Sequence, residues 1–356
     1  MHKRPLVVRA VDVGYGHIKF TDGRDTTGNI RTDSIPSQSP GTKPAMHKGI
    51  GVMKQRDTFV IPVSGHYYEV GRDVHLALDG YQETEVLDEA FCLGDAYAAR
   101  LFGALNYMSL PDGVIDVLVL GLPMNTFRKH QADLERRFSG EHVINSRGDR
   151  ITVKHCHVYP QPLGSYMSYL VAAQQKLQGQ TPLALSVDPG YNTVDWFLCQ
   201  GMSANDERSD AVHRGMGGVM RAIAADIIKA HRLDASPGQL VRAIDRSLTM
   251  GSKFTIYGKE FDLAGHMAAG NSIIQEAAQS VKNSVGTGHD IDVILLTGGG
   301  ASLYSRAIQE KFPHHEVIAL DSPALANVRG FQVIGEMMAK SLSQALKLDE
   351  AAAVPA

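Results

Sequence analysis

Two aspartates 176 residues apart (188 − 12), each two positions ahead of a glycine, are the residues in this chain best placed to do chemistry. The segments Val11-Asp12-Val13-Gly14-Tyr15-Gly16-His17-Ile18-Lys19-Phe20 and Val187-Asp188-Pro189-Gly190-Tyr191-Asn192-Thr193-Val194-Asp195-Trp196 share Val, Asp, Gly and Tyr at the same offsets. Each copy follows an apolar run, LVVRAV or LALSV, and leads into another extended run, so each reads as strand, tight turn, strand. The glycine lets the turn close with amides pointing inward as an anion-binding nest, beside an aspartate that can hold a divalent metal through water. Asp and Gly favour ordinary turns too, so one copy alone carries little weight. Two copies in matching contexts, one domain length apart, point to related domains facing one another with a phosphate chain clamped between them.

Two more glycine clusters have the same character. Ile291 to Thr297 is a buried-strand pattern followed by Gly298-Gly299-Gly300-Ala301 and a helix expected over Ser302 to Phe312, ended by Pro313. Strand, glycine loop, helix is an architecture in which backbone approaches a nucleotide closely and a helix N-terminus supplies positive potential. The loop is neither GxGxxG nor GxxxxGK[ST], so the Rossmann and Walker spacings are excluded. Gly215-Met216-Gly217-Gly218 opens a helix expected over Val219 to His231 and reads equally as nucleotide contact or as a plain cap and packing contact.

The elements that would position these loops alternate along the chain. Phe59 to Val63 and Tyr67 to Gly71 read as a hairpin, Glu89 to Met108 as a helix, Val114 to Gly121 as a buried strand and Arg128 to Phe138 as an amphipathic helix with a basic face. Ile151 to Val158 alternates as a strand, and Tyr159 to Gly164 leads into a helix from about Ser165 to Leu177. Helices are expected over Pro237 to Leu248, Leu263 to Val285 and Asn327 to Leu346, with a short hairpin around Tyr257-Gly258-Lys259. Asp33 to Lys54, rich in Ser, Pro, Gly and Lys without periodicity, reads as a mobile loop, and Ala351 to Ala356 as a frayed end.

Composition excludes several classes. With 356 residues, 44% hydrophobic and 21% charged, the chain is an ordinary globular one of roughly two domains. Its 35 Lys and Arg against 38 Asp and Glu give a net charge of −3, so no strong field draws the whole chain to nucleic acid or an anionic membrane. The longest apolar run, Val114 to Met124, contains Asp116 and falls far short of the roughly 20 residues of a membrane helix. The N-terminus lacks a small-residue cleavage site, so a cytoplasmic location is expected. Cys92, Cys156 and Cys199 form no CxxC pair, which fits reduced buried thiols. In a strand His155 and His157 would share a face with Cys156 pointing away, so the three cannot serve one metal ion and read as a partly exposed strand edge. No G-x-S-x-G elbow supports a serine hydrolase.

Taken together, the arrangement resembles the actin, Hsp70 and sugar-kinase superfamily, and is most similar to the bacterial actin-like plasmid-segregation ATPases of the ParM/StbA type. The resemblance runs through a first phosphate loop (Asp12 to Lys19), a connecting segment (Gln161 to Gly164), a second phosphate loop (Asp188 to Thr193), an adenosine loop (Thr297 to Ala301) and Ala326-Asn327 to Gly330 before the last helix. It implies an α/β fold of two duplicated RNase H-like, actin-like domains with a nucleotide cleft between them, spanning 1–162 plus 331–356 and 163–330.

By the same resemblance Gly14, Tyr15, Gly16, His17 and Lys19 would hold the β- and γ-phosphates of ATP or ADP. Asp12 and Asp188 would position hydrated Mg²⁺, and Asp188 would also orient the attacking water. Gly190, Tyr191, Asn192 and Thr193 would grip the γ-phosphate, while Gly217, Gly218, Gly298, Gly299 and Gly300 would line ribose and adenine. Gln161 stands where the segregation ATPases usually place Glu and eukaryotic actin places Gln; glutamine aligns water but is a poor base, which implies slow hydrolysis. Pro189 replaces the usual apolar residue and stiffens its turn.

The function so implied is a slow ATPase that assembles with itself into nucleotide-dependent filaments. A DNA-bound adaptor would couple plasmid to filament, so DNA contact is indirect and no membrane is involved. Two alternatives keep the fold: a small-molecule kinase or phosphatase, which needs a carboxylate base opposite the γ-phosphate, and a nucleotide-dependent scaffold that does not polymerise.

Overall fold

The computed structural model describes residues 4–44, 54–78 and 90–352. The part of the expected loop at 45–53, the expected helix start at Glu89 and the end of the chain beyond Ala352 lie outside these residues. Within these residues the chain forms two compact units, one made of 4–77, 90–176 and the segment from Leu325 on, the other covering Leu177 to Ala324 together with Leu78.

The first unit carries a six-stranded sheet of order β3-β2-β1-β6-β8-β7, made of β1 (Val8–Val13), β2 (His17–Arg24), β3 (Ile30–Pro36), β6 (Val114–Leu122), β7 (Gly140–Val143) and β8 (Arg150–Pro160). A separate hairpin, β4 (Thr58–Val63) and β5 (His66–Gly71), turns at Ser64 and Gly65, both with positive φ as a type I′ turn requires. The helices are α1 (Asp95–Leu105), α2 (Met124–Phe138), α3 (Gln161–Ala172), the one-turn α4 (Gln174–Leu177) and α9 (Ala326–Ala352). β1 and β6 are buried on both faces, which is why they read as apolar runs rather than alternating ones. Val11, Leu118 and Leu120 pack into the core with Tyr97, Leu101 and Phe138, while α9 lies on the other face, where a Cβ at Gly335 would come within 2.5 Å of Val8.

In the second unit a five-stranded sheet has the order β11-β10-β9-β14-β15: β9 (Ala184–Pro189), β10 (Val194–Gln200), β11 (Ser203–Val212), β14 (Val293–Leu296) and β15 (Val317–Ala319). Helices α5 (Met216–His231), α6 (Pro237–Met250), α7 (Asn271–Val285) and α8 (Ala301–Lys311) accompany it, with a small hairpin of β12 (Thr255–Ile256) and β13 (Lys259–Glu260). Its core joins Val187, Trp196 and Leu296 to Ile223, Val281 and Tyr304. Ser236 and Gln239 cap α6 reciprocally ahead of Pro237 at its first turn.

The internal repeat is structural. Asp12 pairs with Lys19 and Val13 with Ile18 across β1 and β2; 176 residues on, Asp188 pairs with Asp195 and Pro189 with Val194 across β9 and β10. The same offset carries the parallel ladder, since Val11 pairs with Leu120 and Val187 with Leu296. Strand order and direction agree through five strands of each sheet, β3 matching β11 and β8 matching β15.

Several boundaries differ from the sequence reading. Asp33 to Pro36 belongs to β3 rather than to a loop, because ladder bonds to β2 hold a strand that has no apolar alternation of its own. Helix α3 begins at Gln161, not near Ser165, with Pro162 in the first turn, where a missing N–H costs nothing. α5 begins at Met216, so Gly217 and Gly218 are inside it. Ala264–Gly270 is 3₁₀, and α7 starts only at Asn271. His155 and His157 do share a face, their rings 6.4 Å apart, with Cys156 buried on the other; β7 covers β8 only from Arg150 to Val153.

Candidate functional site

In the first unit the β1–β2 turn brings Asp12, Gly14 and Lys19 together. The Asp12 side chain is 0% exposed and the Lys19 side chain 18%. Lys19 Nζ lies 3.4 Å from Asp12 Oδ2, and the Gln161 side-chain amide donates to Asp12 Oδ1 at 2.6 Å. A buried carboxylate requires such partners, since desolvation of an uncompensated charge costs several kcal/mol. Both Asp12 and Lys19 face the α9 side of the sheet because cross-strand partners share a face. Gly14 is needed for close approach rather than for an unusual φ: a Cβ there would sit 2.8 Å from the His17 carbonyl oxygen. The Gly16 carbonyl accepts from Ser37 N at 3.0 Å, tying the turn to the chain after β3, and the Tyr15 ring lies 5.7 Å from that of Phe91.

Below this turn lies Tyr97, which the sequence reading passed over. It is fully enclosed, and burial above all holds its hydroxyl well above its ordinary pKa. It therefore stays a neutral phenol.

In the second unit the three glycine-bearing segments converge. Gly190 closes its own turn, its amide donating to the carbonyls of Asp188 (3.0 Å) and Thr193 (2.8 Å). The first amides of α5, orphaned as at any helix start, are satisfied by this loop: Met216 N donates to Gly190 O at 2.9 Å and Gly217 N to Tyr191 O at 2.7 Å. The Gly215 cluster thus packs on this loop, and a Cβ at Gly215 would lie 2.6 Å from the Tyr191 carbonyl. The Gly298 loop closes over the same turn. Gly298 has φ +78°, and a Cβ there would lie 2.0 Å from Asp188 Oδ1; Gly300 N donates to Pro189 O at 2.9 Å. Gly299 has open space above it, whereas Gly218 faces Ile273. Asn192 Nδ2 lies 3.3 Å from His213 Nδ1.

Pro189 leaves the hairpin regular. It is the last residue of β9, in register with Val194, where a strand tolerates proline. The sequence reading also passed over Asp195. It is 2% exposed, lies across the ladder from Asp188 (5% exposed), and accepts the Thr193 hydroxyl at 2.6 Å. Its signal was in the repeat itself, at the position where the first copy has Lys19.

Taken unit by unit, these residues have the chemistry to meet phosphate oxygens and a hydrated divalent cation. Each unit presents a glycine turn beside a buried carboxylate, the first supplies a lysine, and the second leaves open backbone at Gly299. Hard oxygen donors of this kind suit Mg²⁺. Among the described residues no group of three or more His, Cys, Asp or Glu is arranged to ligate a metal directly, and no helix is long and apolar enough to cross a membrane.

Residues 10–164 match the family of actin like proteins, N-terminal domain, and residues 186–310 match the archaeal actin homologue MreB-like, C-terminal family. No curated protein matches the chain in sequence. Among solved structures, a 15-stranded ParM filament from Clostridium botulinum superposes with a TM-score of 0.71 at 15% identity, covering 94% of this chain and 100% of that one. An archaeal actin homolog in complex with ADP gives a TM-score of 0.70 at 17% identity over 93% of this chain and 100% of its own. An apo ParM protein gives 0.65 at 18% identity, covering 96% and 100%. At these identities the structural likeness establishes the fold.

Proposed function

We propose that the chain, whose residues 10–164 and 186–310 match families of actin-like proteins and whose fold is that of ParM, is an actin-like protein of the ParM type, a slow ATPase that binds Mg-ATP and polymerises with itself in a nucleotide-dependent way. The observation that carries this reading is the duplicated hairpin, which puts one buried aspartate at the same register position in each unit. Phosphoryl transfer to water asks mainly for positioning and charge neutralisation, and two turns with carboxylates and a lysine are suited to both.

In this proposal Gly14 to His17 and Lys19 receive the β- and γ-phosphates, and Gly190 to Thr193 the γ-phosphate. Gly217, Gly218 and Gly298 to Gly300 lie toward ribose and adenine. Asp12 and Asp188 hold Mg²⁺ through its water shell, and the ion's charge offsets that of the phosphates. Asp188 and Gln161 orient the attacking water, Gln161 by accepting from it, a weak assistance that suits a timer rather than a fast catalyst. Filament formation by a ParM from Clostridium botulinum supports self-association, and ADP binding by the archaeal homolog supports the nucleotide. A segregation role through a DNA-bound adaptor completes the proposal, consistent with a net charge of −3. Light scattering with ATP, with ADP and without nucleotide tests it: scattering should rise with Mg-ATP above a critical protein concentration and decay as phosphate is released. No ATP-dependent rise at any concentration removes the filament.

A further inference from the structure

Three glycines meet around the base of Gln161. On β6, a Cβ at Gly121 would lie 2.4 Å from the Phe331 ring and 3.3 Å from Cγ of Gln161. On α3, one turn beyond Gln161, a Cβ at Gly164 would lie 2.3 Å from the Asn327 carbonyl oxygen. On α9, a Cβ at Gly330 would lie 1.6 Å from the Gly164 carbonyl oxygen. Real Cβ atoms do not approach backbone this closely, so α3 and α9 touch main chain to main chain at this crossing. The Ser165 hydroxyl donates to the Asn327 side-chain oxygen beside it, and both residues are buried. The first turn of α3 is therefore fixed by α9 on one side, and the Gln161 stem rests on bare backbone of β6 on another.

Gln161 uses that fixed base to place its amide 2.6 Å from Asp12. The NH₂ end of that amide is the donor to Asp12, so the side-chain oxygen is left as an acceptor. We infer that Gly330, together with Gly164 and Gly121, is a positioning residue that sets the reach of Gln161 to Asp12 and, through it, the alignment of the attacking water. The last step rests on the hydrolysis proposed above; the first concerns the nucleotide-free protein alone.

The test separates the two. In protein labelled with ¹⁵N-glutamine and free of nucleotide, the Gln161 side-chain amide signal is identified by its loss in Gln161→Ala. Gly330→Ala should shift that signal, and a 1 Å misplacement should lower kcat for ATP roughly 10- to 100-fold with KM little changed. Because it acts through Gln161, Gly330→Ala/Gln161→Ala should turn over no more slowly than Gln161→Ala. Ser165→Ala, which removes one hydroxyl and adds no bulk, should move the same signal by a smaller amount and decides the matter if Gly330→Ala fails to fold. An unmoved Gln161 signal in the folded variants, or rate losses that add in the double variant, overturns the inference. A wild-type protein without ATP turnover would instead sink the hydrolysis reading, while the amide signal still decides the positioning.

Discussion

Asp195 stands across the β9–β10 ladder from Asp188, at the position that Lys19 holds opposite Asp12. The two copies of the hairpin thus place a basic residue and an acidic one at the same cross-strand position. The first carboxylate carries its own cation, while the second faces another carboxylate on the same side of the sheet, with both nearly sealed from solvent.

Two carboxylates directly opposed on a sheet are a destabilising pair. Asp195→Asn keeps an acceptor for the Thr193 hydroxyl and takes one carboxyl group out of this buried pair, so the nucleotide-free protein should melt at a higher temperature. Asp188→Ala should still bind nucleotide, but its turnover should fall at least about 10²-fold, as when a key electrostatic group is lost. Calorimetry reads the first effect and phosphate release the second; unchanged turnover in Asp188→Ala would mean that the reaction occurs elsewhere.

Gly298→Ala tests the convergence of loops in the second unit. The new methyl would collide with Asp188 Oδ1 at 2.0 Å and force a side chain into φ +78°, so a loss of about 1–3 kcal/mol is expected from strain alone. Nucleotide affinity should fall with it, whereas Gly299→Ala, with nothing within 4 Å of its Cβ, should leave stability nearly unchanged. Comparing the two in urea melts and nucleotide titrations separates strain from a general intolerance of the loop.

The repeat was legible because turn chemistry is written in rare letters: Asp, Gly and Tyr recur at fixed offsets. The matching of β6 to β14 was not, since Val117-Leu118-Val119-Leu120 and Val293-Ile294-Leu295-Leu296 are what any strand buried on both faces requires. Gln161 was visible as a residue while its element was misjudged, because Pro162 reads as a breaker until it is placed in a first turn. The three-glycine junction that holds Gln161 was invisible, since Gly121, Gly164 and Gly330 are far apart in sequence and only the crossing of α3 and α9 on β6 joins them.

Acid should weaken the first unit through His142. Burial lowers its pKa below the ordinary 6.5, and its ring packs 5.2 Å from Phe102. The unfolded state then binds more protons than the native state below pH 6.5, so stability is fully present above that pH and falls as pH drops from 6.5 toward the lowered native value. His157, also lowered mainly by burial, acts in the same direction. Urea midpoints should therefore decrease between pH 7.5 and 5.5, and His142→Gln should reduce that decrease; an identical pH slope in the variant would assign the effect elsewhere.

Thiol chemistry can ask whether the two units unfold separately. Cys92 and Cys156 lie in the core of the first unit and Cys199 in the second, all three buried. Burial raises the Cys156 thiol and pushes that of Cys199 up to about 12, so at pH 8 almost no thiolate exists to react and attack must wait for opening. Native protein should resist a disulfide reagent that modifies all three thiols in strong denaturant. Each unit has its own apolar core, so cooperativity need not extend across the chain. In a denaturant series, Cys199 should become reactive over a different range from Cys92 and Cys156, read by mass spectrometry of the labelled peptides. A single shared midpoint for all three would mean that the duplicated halves unfold as one.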